Sequence, residues 1–192
     1  MTTKLLFLDV ETTGITCPAS GLIQLAGLIE IDSALVDQFD FRIQPFSNDA
    51  ISDDALAVTG VTRDELARYK PPGDVFSKLL TILDKFVDRY DRKDKFHLVA
   101  YNAKFDAEHL RAWFDKNNDK YYGSWFWHPP IDVMGLAAMA LMDKRSTLAN
   151  FKLPTVAAAF GITVDEAKAH EALYDAEVTR EIFLQLRKSA SK

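Results

Sequence analysis

Large apolar residues fill Leu5-Leu6-Phe7-Leu8, and the run ends in Asp9, Val10 and Glu11 before the turn signal Thr12-Thr13-Gly14. That pattern predicts a buried strand that surfaces at its carboxyl end. Leu22 to Asp32 is β-branched and partly alternating, and Leu35 to Pro45 alternates again through Val36, Phe39, Phe41 and Ile43. With Ser33-Ala34 between them these stretches predict a hairpin, so the chain up to Pro45 reads as three antiparallel strands. Asn48 to Tyr69 predicts two short helices joined at Thr59-Gly60-Val61-Thr62, where Thr62 and Glu65 have the spacing of a capping box. Beyond the break at Pro71-Pro72-Gly73, a helix is predicted over Asp74 to Arg89, with Val75, Phe76, Leu79, Leu80, Leu83, Phe86 and Val87 on one face.

Asp91 to Lys95 mixes charges of both signs and reads as a solvated turn. Phe96 to Asn102 predicts a second buried strand, followed by a helix from Ala103 to Lys116 that ends at Asn117-Asn118-Asp119. Trp125, Phe126 and Trp127 read as packing at the edge of the core, since tryptophan is usually largely buried, with a base-stacking or partner surface as the alternative. They lead to a short strand at Ile131 to Met134. Helices are predicted near Gly135 to Lys144, Leu153 to Phe160 and Glu171 to Lys188, with a frayed end at Ser189 to Lys192. Three strands, helices, a βαβ unit and more helices predict an α/β fold, a mixed sheet with helices on both faces.

With 192 residues, 48% hydrophobic and 27% charged, residues 1–192 read as a single domain with a sizeable core. The single Cys17 has no internal disulfide partner, which points to a reducing cytoplasm. No apolar stretch approaches a membrane span; Gly135 to Met142 is too short. The opening Met1-Thr2-Thr3-Lys4 leads within a few residues to Asp9, unlike a secretory leader. The net charge of -5 argues against tracking long duplex nucleic acid, which calls for a basic face. Contact with nucleic acid would be local, a few nucleotides, with metal ions supplying much of the positive charge.

Residues two apart on a strand share a side, so Asp9 and Glu11 project together. Two adjacent anions repel unless a cation lies between them, and a divalent metal is the simplest such cation. The alternative is a strand end at the surface with both acids solvated. Asp106 follows the second core strand, where it serves either the site or the helix dipole; Asn102, at the same junction, is also a helix cap by type. A separation of five residues puts His170 and Asp175 on different faces of any one helix. They share a site only if His170 lies on the loop at Val164 to Ala169 and beyond, with Asp175 on the first turns of the helix. His97 and His128 read as solvated loop residues, and His109 as a surface or packing residue. Three acids at strand ends plus a late acid and histidine suit two-metal phosphodiester hydrolysis. There, two Mg²⁺ (or Mn²⁺) ions ~3.5–4 Å apart orient the phosphate and stabilise the leaving oxygen. Oxygen-rich ligation suits Mg²⁺, and a neutral imidazole can take a proton near pH 7. One cysteine and scattered histidines give no support to a zinc site.

These motifs resemble those of the DEDDh 3′→5′ exonucleases, the family of the proofreading epsilon subunit of bacterial DNA polymerase III, ribonuclease T and oligoribonuclease. Phe7-Leu8-Asp9-Val10-Glu11-Thr12-Thr13-Gly14 is similar to the first motif, Asn102-Ala103-Lys104-Phe105-Asp106 to the second, and His170-x-Ala172-x-x-Asp175 to the third. Ile51 to Leu66 and Leu153 to Ile162 resemble the segments between. Glu171 occupies the position where a related branch has tyrosine. The resemblance implies an RNase H-like fold with a five-stranded mixed sheet, metal ligands Asp9, Glu11, Asp106 and Asp175, and His170 as general base. It implies release of nucleoside monophosphates from single-stranded DNA or frayed 3′ ends. It also implies substrate contacts from Thr12, Thr13, Gly14, Ile15, Thr59, Asn102 and Phe105. Thr12 and Thr13 would offer amides or hydroxyls, and Ile15 and Phe105 would flank the last base. Tyr101 replaces a common histidine, and Thr59-Gly60 a common His-Gly. Asp132 is similar to an acid that these proteins often carry beside the site.

Two other readings stay open: an exoribonuclease trimming short RNA, and a non-catalytic binding or polymerase-docking subunit. All five motif positions carry the chemical types needed for catalysis. No long extension follows Lys188 to dock a polymerase, which favours a free-standing enzyme.

Overall fold

The computed structural model describes residues 2–168 and 170–190. The first strand, β1 (Lys4–Thr12), is followed by β2 (Leu22–Ile31) and β3 (Ala34–Arg42). β1–β2 and β2–β3 are both antiparallel. The hairpin turn is Asp32-Ser33, one residue earlier than expected, because both residues take positive φ (47° and 71°). Aspartate tolerates that conformation at a two-residue turn, and here Asp32 Oδ1 also accepts from Thr3 N at 2.7 Å.

Three helices cross over next: α1 (Asp53–Thr59), α2 (Arg63–Leu66) and α3 (Pro72–Leu83). The Thr62/Glu65 capping box forms in full. α3 starts two residues earlier than expected, on a proline whose missing N–H is no loss in a first turn, and ends at Leu83. Val87 is buried after the helix has ended. The charged turn at 91–95 is tied down at Asp94, which pairs with Lys4 and accepts from Asp88 N.

The second half runs β4 (His97–Ala100), α4 (Ala103–Lys116), α5 (Tyr122–Trp125), β5 (Ile131–Asp132), α6 (Val133–Ala140), α7 (Leu153–Ala159) and α8 (Ala172–Ala190). The expected α4 bounds are met. α5 was not expected, and the β5 strand stops at Asp132, whose carboxylate caps α6 through Met134 N. α8 continues through Ser189 and Ala190, where a frayed end was expected; Ser191 and Lys192 lie outside the described residues. His97 is a half-buried strand residue beside the Trp127 ring and not a loop residue, whereas His128 is exposed.

The sheet order is β3-β2-β1-β4-β5, with β4 parallel to β1 and β5 parallel to β4. Period-two alternation on β1 divides the core. Leu6, Leu8 and Val10 join α3 and α4 on one face, through Val75, Phe76, Leu110, Trp113 and Phe114. Leu5 and Phe7 join α6, α7 and α8 on the other, through Val133, Val156, Val178, Ile182 and Phe183. Trp125 and Phe126 are buried, as expected of core-edge packing, and Trp127 is half-buried. α8 is held to the sheet by Phe183 packed edge-on against Phe7 and by Arg180, which pairs with the buried Glu30 of β2 at 2.7 Å.

Candidate active site

β1 lies where the sheet changes from antiparallel to parallel pairing, a position at which carboxyl ends of strands open a crevice. Asp9 and Glu11 stand at its end with the parity of Leu5 and Phe7, so they face α8. His170 precedes α8 with φ of 69°, and Asp175 sits in the first turn with its amide bonded to Glu171 O at 3.0 Å. The His170 backbone N–H donates to the Asp175 carboxylate. This is the loop-then-helix arrangement that a spacing of five demands. One ligand atom each from Glu11, His170 and Asp175 lies within 4.8 Å of the others.

Asp106 arrives from the opposite face. β4 ends at Ala100, Asn102 turns the chain in the left-handed conformation (φ 64°), and α4 then brings Asp106, which is 3% exposed, under the end of β1. Its Oδ1 accepts from Val10 N at 3.2 Å, placing it between the two acids of the first motif. The Asn102 turn is held by Asp132, whose Oδ1 accepts from Asn102 N at 3.1 Å and Met134 N at 3.0 Å.

The acids raise one another's affinity for protons. Burial pushes the Asp9 carboxyl well above its usual range, and Asp106, Glu11 and Asp175 push it further. Burial also lifts Asp106 strongly against the backbone hydrogen bonds that oppose the rise. Glu11 is pushed up to about 7, by burial and then by Asp175, with Arg42 pulling the other way. Asp175 is raised by burial, an effect moderated by His170. Among the described residues no lysine or arginine forms an ion pair with any of the four. Carboxylates gathered with no ion-pair partner among the described residues fit a divalent metal, and an oxygen-rich set with one imidazole is the type that Mg²⁺ or Mn²⁺ takes.

Of the other expected residues, Ile15 is the most open, at 87% exposed. With Thr13, Gly14, Thr16 and residues of α1 it lines a cleft of about 540 Å³. A Cβ on Gly14 would come within 2.7 Å of Ser20 Oγ. Thr13 is fully buried; its hydroxyl bonds Ala50 O and Gly21 N, and its amide bonds Gly21 O. It anchors the loop. The Thr12 hydroxyl is likewise used, on Gly14 O at 2.7 Å. Thr59 turns its hydroxyl onto the Ala55 and Leu56 carbonyls of its own helix. Val58, 58% exposed, presents to the cleft in its place. Asn102 makes no side-chain cap. Phe105 is half-buried against His109, ring centroids 4.2 Å apart. Arg42, which lowers the proton affinity of Glu11, ends the edge strand β3, where no sequence pattern marks it.

The exonuclease family profile RNase_T matches residues 6–183. The chain belongs to the RNase_T exonuclease family. Within that family it is similar to PolC-type DNA polymerase III of Thermotoga petrophila, at 29% identity over 178 residues, covering 93% of this chain and 11% of that one. It is also similar to ribonuclease T of Baumannia cicadellinicola, at 28% identity over 185 residues, covering 93% of this chain and 81% of that one. This member thus spans only about a tenth of the PolC-type relatives. Among solved structures, exonuclease I superposes with a TM-score of 0.75 at 23% identity, over 97% of this chain and 41% of that one. A 3′-exonuclease described in recognition of the histone mRNA stem-loop gives 0.73 at 17%, over 97% and 82%. These likenesses show the RNase H-like fold of the family's five-stranded sheet.

Proposed function

We propose that the protein is a divalent-metal-dependent 3′→5′ exonuclease of the DEDDh type, acting on single-stranded DNA or frayed 3′ ends and releasing nucleoside monophosphates. The observation that carries this reading is the convergence of Glu11, His170 and Asp175 within 4.8 Å beside two further buried acids, Asp9 and Asp106, with no ion-pair partner among the described residues. Asp9, Glu11, Asp106 and Asp175 would hold two Mg²⁺ or Mn²⁺ ions. Bound there, the metals would supply Lewis-acid stabilisation of the attacking and leaving oxygens.

The chain's own residues do the rest. An imidazole nitrogen of His170, on an exposed loop at the rim, takes the proton of the attacking water. Asp175 accepts the His170 backbone N–H, which holds the loop that carries the imidazole. Ile15 and Val58 flank the terminal base in the cleft beside Gly14, where the backbone approaches closely. The buried Thr13 hydroxyl fixes the loop that carries Ile15.

The ribonuclease T relative, matched over 81% of its length, favours RNA as a second substrate. We further read residues 1–192 as one exonuclease unit of the cytoplasm. Polymerase association enters only because PolC-type chains carry a matching stretch. End-labelled single-stranded DNA, duplex DNA and RNA of one sequence, each with Mg²⁺, with Mn²⁺ and with chelator, test the reading. A ladder shortening from the 3′ end only when metal is present is expected. Degradation in chelator, or shortening from the 5′ end, overturns it.

A further inference from the structure

On the far side of α4 from the Ile15 cleft lies a groove of about 850 Å³ between that helix and the segment 122–132. Lys104 and Arg111, seven residues apart on one face of α4, form one wall together with Glu108. The other wall is Lys95, Tyr122, Trp127 and His128. The cations are set against rings: Arg111 lies 4.6 Å from the Tyr122 ring centroid and Lys95 5.2 Å from that of Trp127. Lys95 also donates to Gly123 O at 2.5 Å. Two acids line the groove. Asp132 is turned inward onto Asn102 N and Met134 N, and Glu108 sits 3.8 Å from Lys104. On a chain of net charge -5, the groove therefore presents an excess of positive charge along a wall of rings.

We infer that this groove holds the nucleotides on the 5′ side of the scissile bond of a single-stranded nucleic acid. The inference rests on the exonuclease reading. Its geometry follows from the sheet order. The Ile15 cleft lies toward β2, the groove lies along β5, and the acids at the ends of β1 and β4 lie between them. A strand whose last base sits by Ile15 and whose scissile phosphate sits over the acids leaves along α4. Asp132 lines the groove and accepts from Asn102 N at the turn that leads to Asp106, so the groove opens beside the acids. At 1.5 Å per residue, Lys104 to Arg111 spans about 10 Å, room for about three nucleotides at stacked spacing. Cations for phosphates, held in place by the rings they lie over and next to the half-buried Trp127, suit a single strand independent of base sequence.

The test compares the wild type with Lys95→Gln/Arg111→Gln and with Arg111→Lys. Binding of a fluorescent oligothymidylate of about twelve nucleotides is read by anisotropy in chelator, and turnover of that oligomer and of a dinucleotide is read with Mg²⁺. The double variant is expected to raise Kd and KM for the oligomer about tenfold and to flatten the salt dependence of binding by about one to two phosphate contacts. Its kcat and its dinucleotide turnover are expected to move less than about twofold, and Arg111→Lys to retain most of the affinity by keeping the charge. Oligomer binding and KM equal to wild type overturn the groove assignment. An equal loss on the dinucleotide also overturns it, because the residues would then be acting at the acid cluster or on the fold. A wild type that binds the oligomer but cuts neither substrate refutes the nuclease reading alone, and the groove is then judged on the binding difference.

Discussion

At the scale of single residues, carboxylates gathered in one cleft make each an obstacle to folding until a cation arrives. Asp9 feels this most directly, since Asp106, Glu11 and Asp175 all raise its proton affinity. Asp9→Asn should therefore lower metal-dependent degradation at least about 10³-fold, roughly 4 kcal/mol of barrier, while raising the Tm measured in chelator. Parental turnover in that variant would remove Asp9 from the site. His170→Ala should cost about 10²- to 10⁴-fold in rate. The thermal shift produced by Mg²⁺ should stay near parental. A lost thermal shift would make His170 a ligand, as its distance from Glu11 and Asp175 permits. That Glu11, His170 and Asp175 come together was legible because strand parity and the five-residue spacing are rules of backbone geometry. Where the Thr13 and Thr59 hydroxyls turn was not legible, because a hydroxyl in a loop or helix end finds nearby carbonyls first.

Among the elements, strands and α4 were readable from alternation and from turn residues. α5 was not, being a single turn made by tertiary packing of Tyr122 and Trp125. The end of α3 was overread because the apolar spacing continues to Val87 while the backbone leaves the helix at Asp84. Two substitutions separate elements that carry the site from those that do not. Thr62→Ala removes the capping box of α2, and should cost about 1 kcal/mol in chemical unfolding with turnover unchanged. Arg180→Ala leaves Glu30, 1% exposed with Oε1 already unpartnered, as a buried charge without its counter-ion. That should cost about 3–5 kcal/mol and lower activity as well, because α8 carries Asp175. A loss near zero in urea unfolding would mean that Glu30 is protonated or hydrated once Arg180 is gone.

For the whole molecule, proton binding and metal binding compete for one set of carboxylates. Below pH 4.5, the ordinary value for glutamate, folded and unfolded chains both hold the Glu11 proton and its burial costs nothing. Between 4.5 and about 7 the unfolded chain releases that proton and the folded chain keeps it, so stability falls as pH rises. Above about 7 the loss is complete. Asp9 and Asp106, also raised, act with the same sign from a lower starting value of 3.8. The Tm in chelator should thus decline from about pH 5 to about pH 8, and Mg²⁺ should restore more of it at the alkaline end, where it displaces fewer protons. A Tm in chelator that rises over that interval would contradict the burial of these acids. The acids come from both sides of the sheet, Asp106 from the α4 side and Asp175 from the α8 side, and the fastening of α8 has a kinetic corollary. Peeling α8 away would dismantle the centre while β1, β4 and α4 stayed assembled, so inactivation on gentle heating should precede global melting and reverse on cooling. Amide hydrogens of α8 exchanging ahead of those in α4 would be its signature, and a bound metal ion, by clasping both sides at once, would act as a rivet that closes the gap between the two rates.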